Sequence, residues 1–262
     1  KTTHYLGKVI AESIIHAITS QYKHKITGKI VVNHTQVKLN NQTFNHNYSY
    51  FGCPASLTQQ LRTAKDGISG APTIGGSKND APTIFHKLGF SAGVTSVKIS
   101  DEHAEKKETL DYFGIFPPLF SLVRKCYLGN YKPPNEAPLT TVLLGDILLA
   151  SVPGEFTNTH QYRFEQRMIN NKVKDAVLLG LSNAYLSYFA TDSEYELQHY
   201  EGSSTMYGKY SSNYIINEIE KLANSQPQKN TQRHYLYDVL GPVINSPTSF
   251  KLNKPDLNNI VC

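Results

Sequence analysis

Long apolar runs are missing from this chain. No stretch among its 262 residues approaches the roughly 20 that a membrane-spanning helix needs, and none reads as a signal peptide. Cysteine is scarce, with only Cys53, Cys126 and Cys262. One pair and one leftover thiol fit a secreted chain without requiring one. Internal repeats are absent, and so are blocks of like charge. The net charge of +5 is spread along the chain, as on a solvated basic surface, although a mild positive field also favours anionic membrane surfaces. The pair Gly75-Gly76 lacks the Gly-Lys-Ser/Thr continuation and the strand–turn–helix frame of a phosphate loop, so it reads as a plain loop. The chain starts at Lys1 rather than Met, and the expectation is a mature or excised portion of a longer product.

What is present suits a soluble globular protein. Hydrophobic residues make up 39% of the chain, and its length allows one large domain or two small ones with a substantial core. Three sequons, Asn33-His34-Thr35, Asn41-Gln42-Thr43 and Asn47-Tyr48-Ser49, fit the N-glycosylation pattern and would place this region on the surface of a secreted chain. The expected location is secreted or cell-surface.

Periodicity gives a mixed α/β reading. Leu6, Ile10, Ile14, Ala17 and Ile18 recur at helical spacing, which predicts an amphipathic helix over residues 4–20. Residues 28–32 and 35–39 read as strands around a short turn. Residues 52–82 read as loops, with Gly70-Ala71-Pro72 among their markers. Residues 101–109 read as a solvated polar segment, and residues 113–123 are mostly apolar. The clearest β region is 139–152, with Gly145-Asp146 as a two-residue turn. Helices are expected over 157–172, capped by Thr157 or Asn158, and over 193–199 and 211–222; a short buried strand is expected over 176–181.

The stretch from Val152 to Gly208 carries the chemistry. Glu155 follows a strand and a Pro-Gly turn and precedes a helix, which puts a carboxylate at a sheet edge near a helix N-terminus. Asn183-Ala184-Tyr185 follows the next strand. If the two strands are neighbours, as sequential elements often are, their ends lie on one side of the sheet and Glu155 meets Tyr188. Carboxylate and phenol oxygens gathered this way suit a hard or borderline metal ion such as Zn²⁺, which favours the phenolate over the phenol. The competing reading makes the tyrosines half-buried core residues with satisfied hydroxyls.

The residues VPGEFT, then GLSNAY-x-x-Y, then EY-x-x-Q-x-YEG-x-ST-x-YG resemble the neutral, non-lysosomal ceramidases. Cys53-Pro54-Ala55 and Leu88-Gly89-Phe90-Ser91-Ala92-Gly93 are similar to further segments of that family. The resemblance implies a partial neutral-ceramidase catalytic domain of α/β class, with mixed sheets flanked by helices. Residues 1–223 would form its C-terminal portion, and residues 224–262 a polar tail or the start of a truncated further domain. It implies Zn²⁺ as cofactor, with Glu155 and Tyr188 as ligands and Tyr185 as the rival to Tyr188. It also implies Tyr200 lining the site as a catalytic donor to an oxyanion, and a Cys53–Cys126 disulfide. The implied activity is hydrolysis of the amide bond of ceramide to sphingosine and fatty acid, at a membrane surface approached from outside and without nucleic acid.

The family's histidine zinc ligands and its Gly-Asp-x-Ser-Pro-Asn nucleophile motif have no match here. No nucleophile is therefore assigned, and an N-terminal half of the same enzyme is the implied partner. His160 and His199 lie within reach of a metal, yet they read better as ordinary core or surface histidines. The alternative reading is a non-catalytic ceramidase-like relic or lipid-binding module.

Overall fold

The computed structural model describes residues 2–20, 26–47, 58–77, 82–93, 95–106, 133–169 and 173–225. All three cysteines and the segment 113–123 lie outside them.

A four-stranded mixed sheet organises these residues, in the order β1 (Ile30–Lys38), β6 (Glu136–Leu144), β7 (Ile147–Ser151), β9 (Asp175–Leu179). The β6–β7 hairpin turns through Gly145-Asp146, as its sequence predicts, with Gly145 at φ +64°. β7 and β9 run parallel, joined by the helix α4 (Asn158–Ile169). The expected turn between two strands near Asn33 is not there. β1 is continuous and pairs with β6 along nine residues, because Asn33 faces the core and its amide nitrogen donates to Leu222 O at 3.0 Å. Asn33 is 2% exposed, so this sequon is not displayed on the surface; Asn41 is exposed in a turn at φ +55°.

One face of the sheet is covered. Leu139, Leu148, Ala150 and Val152 pack with Phe164 and Met168 of α4 and with Ile215 and Ile219 of the last described helix, α7 (Ser211–Ala223). Each such buried aliphatic side chain contributes about 1.5–3 kcal/mol relative to an exposed one. The other face is different. Val32, Val142, Leu149 and Val177 stand in register, one per strand across all four strands, and none of them joins the core.

Two further sequence expectations change. Within 52–82, β3 (Thr58–Arg62) pairs antiparallel with β2 (Thr43–Asn47), and Ala71–Gly75 forms a short helix α2 started by its proline. Within the polar segment 101–109, the described part 102–106 is not a solvated surface. It holds β5 (Ala104–Lys106), paired with β4 (Thr95–Ser100), and Glu102, His103 and Lys106 are buried. Burial is tolerated because Lys106 Nζ donates to Ile68 O, Ser203 O and Thr205 O at 3.2, 3.0 and 2.6 Å, while Glu102 pairs with Arg62. The helix α1 (Thr2–Thr19) forms as its periodicity predicts, but none of its residues is buried. A second short helix, α3, spans Ile84–Lys87.

Candidate functional site

Two very short strands build the site. β8 (Glu155–Phe156) pairs in parallel with β10 (Tyr188–Phe189), and Tyr188 is the register partner of Glu155. Residues 33 positions apart are thereby neighbours with side chains on the same face. The pairing is too short to stand alone, and backbone bonds from the flanking loops secure it. Glu155 N donates to Ser187 O, Leu181 N to Gly154 O, Ser182 N to Val152 O and Leu186 N to Pro153 O. The Pro-Gly turn and the loop 180–187 are thus interlocked. Gly154 is required by this contact, since a Cβ there would stand 2.5 Å from Ser187 O and 2.8 Å from the Phe189 ring. The loop opposite is bent sharply: Leu181, Asn183 and Ser187 have φ of +55°, +69° and +66°. Three non-glycine residues in the left-handed region within seven positions is a concentration of strain of the kind found at functional loops.

The polar groups converge on Glu155. Tyr185 OH donates to Glu155 Oε1 at 2.9 Å. The Tyr188 ring meets Tyr200 edge to face, with centroids 5.3 Å apart. Tyr200 starts α6 (Tyr200–Ser204), which follows α5 (Asp192–Glu196). Thr205 fixes α6 to β10, its Oγ1 accepting from Ala190 N and donating to Glu201 O. Glu194 braces the arrangement from below: Thr157 and Thr159 at the start of α4 donate to its carboxylate, and with Thr191 it completes a capping box on α5. The site therefore brings together Glu155, Tyr185, Tyr188 and Tyr200, the residues singled out in the sequence. Both tyrosines put forward as ligands sit by the carboxylate: Tyr188 as its strand partner, Tyr185 as its hydrogen-bond donor.

The electrostatics keep these phenols protonated. Burial, then the hydrogen bond to Glu155 and its charge, push Tyr185 up to about 12; the same causes in the same order raise Tyr188. Neutral phenols donate hydrogen bonds at physiological pH. A bound cation would reverse this balance and favour phenolate. The donor set, one carboxylate and phenol oxygens on one face, fits a hard or borderline cation. It amounts to two or three ligands from one side, short of a closed shell. Among the described residues no group of three or more His, Cys, Asp or Glu side chains is placed to hold a metal ion.

Other residues of the sequence pattern have structural roles. Tyr195 is fully buried, and its ring lies 4.7 Å from Lys106 Nζ. Tyr207 OH donates to Pro133 O and Pro134 O. His199 is exposed. His160 sits behind the site, 4% exposed and edge-on to Phe156, and lines a small cavity with His46, Arg163, Arg167 and Asn213. His46 accepts from Asn213 Nδ2 at Nε2, so its Nδ1–H donates to Asn217 Oδ1. Burial holds both rings down to about 4. Sequence reading missed this cluster, because its members come from β2, α4 and α7 and share no local spacing.

The model of the family described as neutral/alkaline non-lysosomal ceramidase, N-terminal, matches residues 1–217. Neutral ceramidase B of Dictyostelium discoideum is 38% identical over 97 residues, which cover 35% of this chain and 14% of that protein. Neutral ceramidase 3 of Arabidopsis thaliana is 32% identical over 127 residues, covering 42% of this chain and 17% of that protein. The chain thus matches about a seventh to a sixth of these relatives' length. Among solved structures, neutral ceramidase from Pseudomonas aeruginosa superposes with a TM-score of 0.52 at 21% identity, over 78% of this chain and 29% of that one. A ceramidase complexed with C2 gives 0.55 at 20% identity, over 82% and 34%. These two likenesses establish the shared α/β fold.

Proposed function

The chain belongs to the neutral/alkaline non-lysosomal ceramidase family, and from that premise we propose that it forms one side of a site that hydrolyses the amide bond of ceramide. The observation that carries this reading is the register pairing of Glu155 with Tyr188, with Tyr185 bonded to the same carboxylate. In the reaction the C–N bond breaks, the oxygen of water goes to the acyl carbon, and a proton goes to the departing sphingosine amine. Glu155 and Tyr188 would hold Zn²⁺, with Tyr185 competing with Tyr188 for that role. When bound, zinc would polarise the amide carbonyl. The chain's own residues act around this. Glu155 is held in place by its backbone bond to Ser187 and accepts a hydrogen bond from the Tyr185 hydroxyl. Tyr200, packed on Tyr188, would donate toward a developing oxyanion.

The remaining ligands and the nucleophile are expected from a complementary N-terminal portion of such a domain. The proposed setting is extracytoplasmic, at the periphery of a sphingolipid-bearing membrane. The three sequons motivate the secreted assignment; the buried Asn33 is the least suited of them to carry a glycan. A second reading, a non-catalytic relic or lipid-binding module, draws on the absence of any three-residue metal cluster among the described residues.

The test uses the chain combined with a complementary ceramidase portion, measuring hydrolysis of a fluorescent ceramide and zinc content by metal analysis. Glu155→Gln is expected to lower hydrolysis at least 100-fold and to reduce bound zinc. Full activity and full zinc in that variant would overturn the assignment. A wild-type combination with neither zinc nor hydrolysis would favour the relic.

A further inference from the structure

Residues 140–144 and 147–150 form nearly continuous apolar runs, the pattern of strands covered on both faces; a strand with one wet face alternates instead. Among the described residues only one face is covered. The opposite face carries the row Val32, Val142, Leu149, Val177, and beside it Ile30, Leu144 and Ile147. Ile30 is 70% exposed, Val32 52% and Val177 37%. A contiguous apolar surface of this kind marks an interaction site. Toward the strand ends that lead to the candidate site, the same face turns polar. His34 Nδ1 meets Thr140 Oγ1 at 2.9 Å, and Asn183 Nδ2 donates to Thr140 Oγ1 and to Ser151 Oγ at 3.1 and 2.7 Å. Asn183 lies two residues before Tyr185, so the bare face runs into the loop that carries the phenols.

The geometry points to this bare sheet face as the docking surface for a complementary layer of a ceramidase-type domain from outside these 262 residues, an inference that rests on the ceramidase reading. Length argues for that occupant. About two-thirds of each solved relative has no counterpart in this chain, while all four strands fall inside the region matched by the family model. Chemistry argues the same way. A second copy of this chain would cover the row without bringing a new kind of ligand toward Glu155, whereas a complementary layer does both.

The probe is the remainder of the Dictyostelium discoideum neutral ceramidase B, produced without its own stretch similar to this chain and co-expressed with it. A 1:1 complex by size exclusion with light scattering is expected. Val32→Asp and Leu149→Asp are each expected to weaken it tenfold or more, with thermal melting of the chain alone within a few degrees of wild type. Should Leu149→Asp fail to fold, the more exposed Val32→Asp carries the test. Glu155→Gln should leave the complex intact. The inference is overturned by no complex with the wild-type chain, or by a complex indifferent to Val32→Asp. It is equally overturned by a homodimer of the chain that Val32→Asp breaks, or by adsorption to ceramide–phosphatidylcholine vesicles that the substitution abolishes in place of a complex. A face-dependent complex that hydrolyses no ceramide would overturn the ceramidase reading and leave the docking surface standing.

Discussion

At the scale of single residues, Glu155 governs its neighbours through one charge and one hydrogen bond. Burial, the largest cause of the Tyr185 shift, stays in Glu155→Gln, and removing the charge is expected to lower the phenol part of the way from about 12. Phenolate absorbance in an alkaline titration checks this, with Tyr185→Phe identifying the shifted component; an unchanged curve would mean that Glu155 does not set the titration. Lys106 makes a second residue-scale case. Burial lowers its pKa well below the usual lysine value. Between that lowered pKa and 10.5 the unfolded chain binds the extra proton, so this group makes stability rise with pH across the window. Lys106→Met would strand three carbonyls and is expected to cost about 2 kcal/mol near neutral pH, and to flatten the alkaline rise. Chemical denaturation at several pH values reads both. Tyr185 and Tyr188 were legible in the sequence because they follow a strand and a Gly-Leu-Ser-Asn turn. Lys106 was not, because a lysine in a polar run looks solvated until three carbonyls from distant segments are seen around it.

At the scale of elements, a two-residue ladder is held by its loops rather than by its own length. Gly154 is the tightest point, and Gly154→Ala is expected to destabilise the fold by about 1–3 kcal/mol through overpacking against Ser187 and Phe189. A thermal melt measures this, and an unshifted midpoint would show that the turn yields without strain. The β6–β7 hairpin was readable from Gly-Asp between two apolar runs, and α4 and α7 from their periodicity. The false turn near Asn33 has a clear cause. Asn and His break an apolar pattern locally, and only the distant partners, Leu222 O for Asn33 and Thr140 for His34, show that both belong in a strand.

At the scale of the whole molecule, three neutral histidines make the fold sensitive to acid. Burial holds His46, His103 and His160 down to about 4, against 6.5 when unfolded. Below 6.5 the unfolded chain takes up protons that the folded chain refuses, so stability is lost as pH falls from 6.5 to 4, by at most about 3 kcal/mol per ring. Denaturant midpoints at pH 7 and pH 4.5 are expected to differ strongly, and His46→Asn is expected to narrow the gap. Equal midpoints would mean that the rings are not neutral and buried. Sequence distance separates the sheet into two parts that assemble on different terms. β6 meets β7 across about ten residues, and β7 meets β9 across about thirty, whereas β1 meets β6 across about a hundred. Loop-closure entropy grows with that separation, and contacts of low sequence distance form faster. The strands that present Glu155 and Tyr188 therefore belong to the segment expected to close rapidly, with β1 expected to join last. On that order the chain would acquire its cluster of carboxylate and phenols before its sheet is complete.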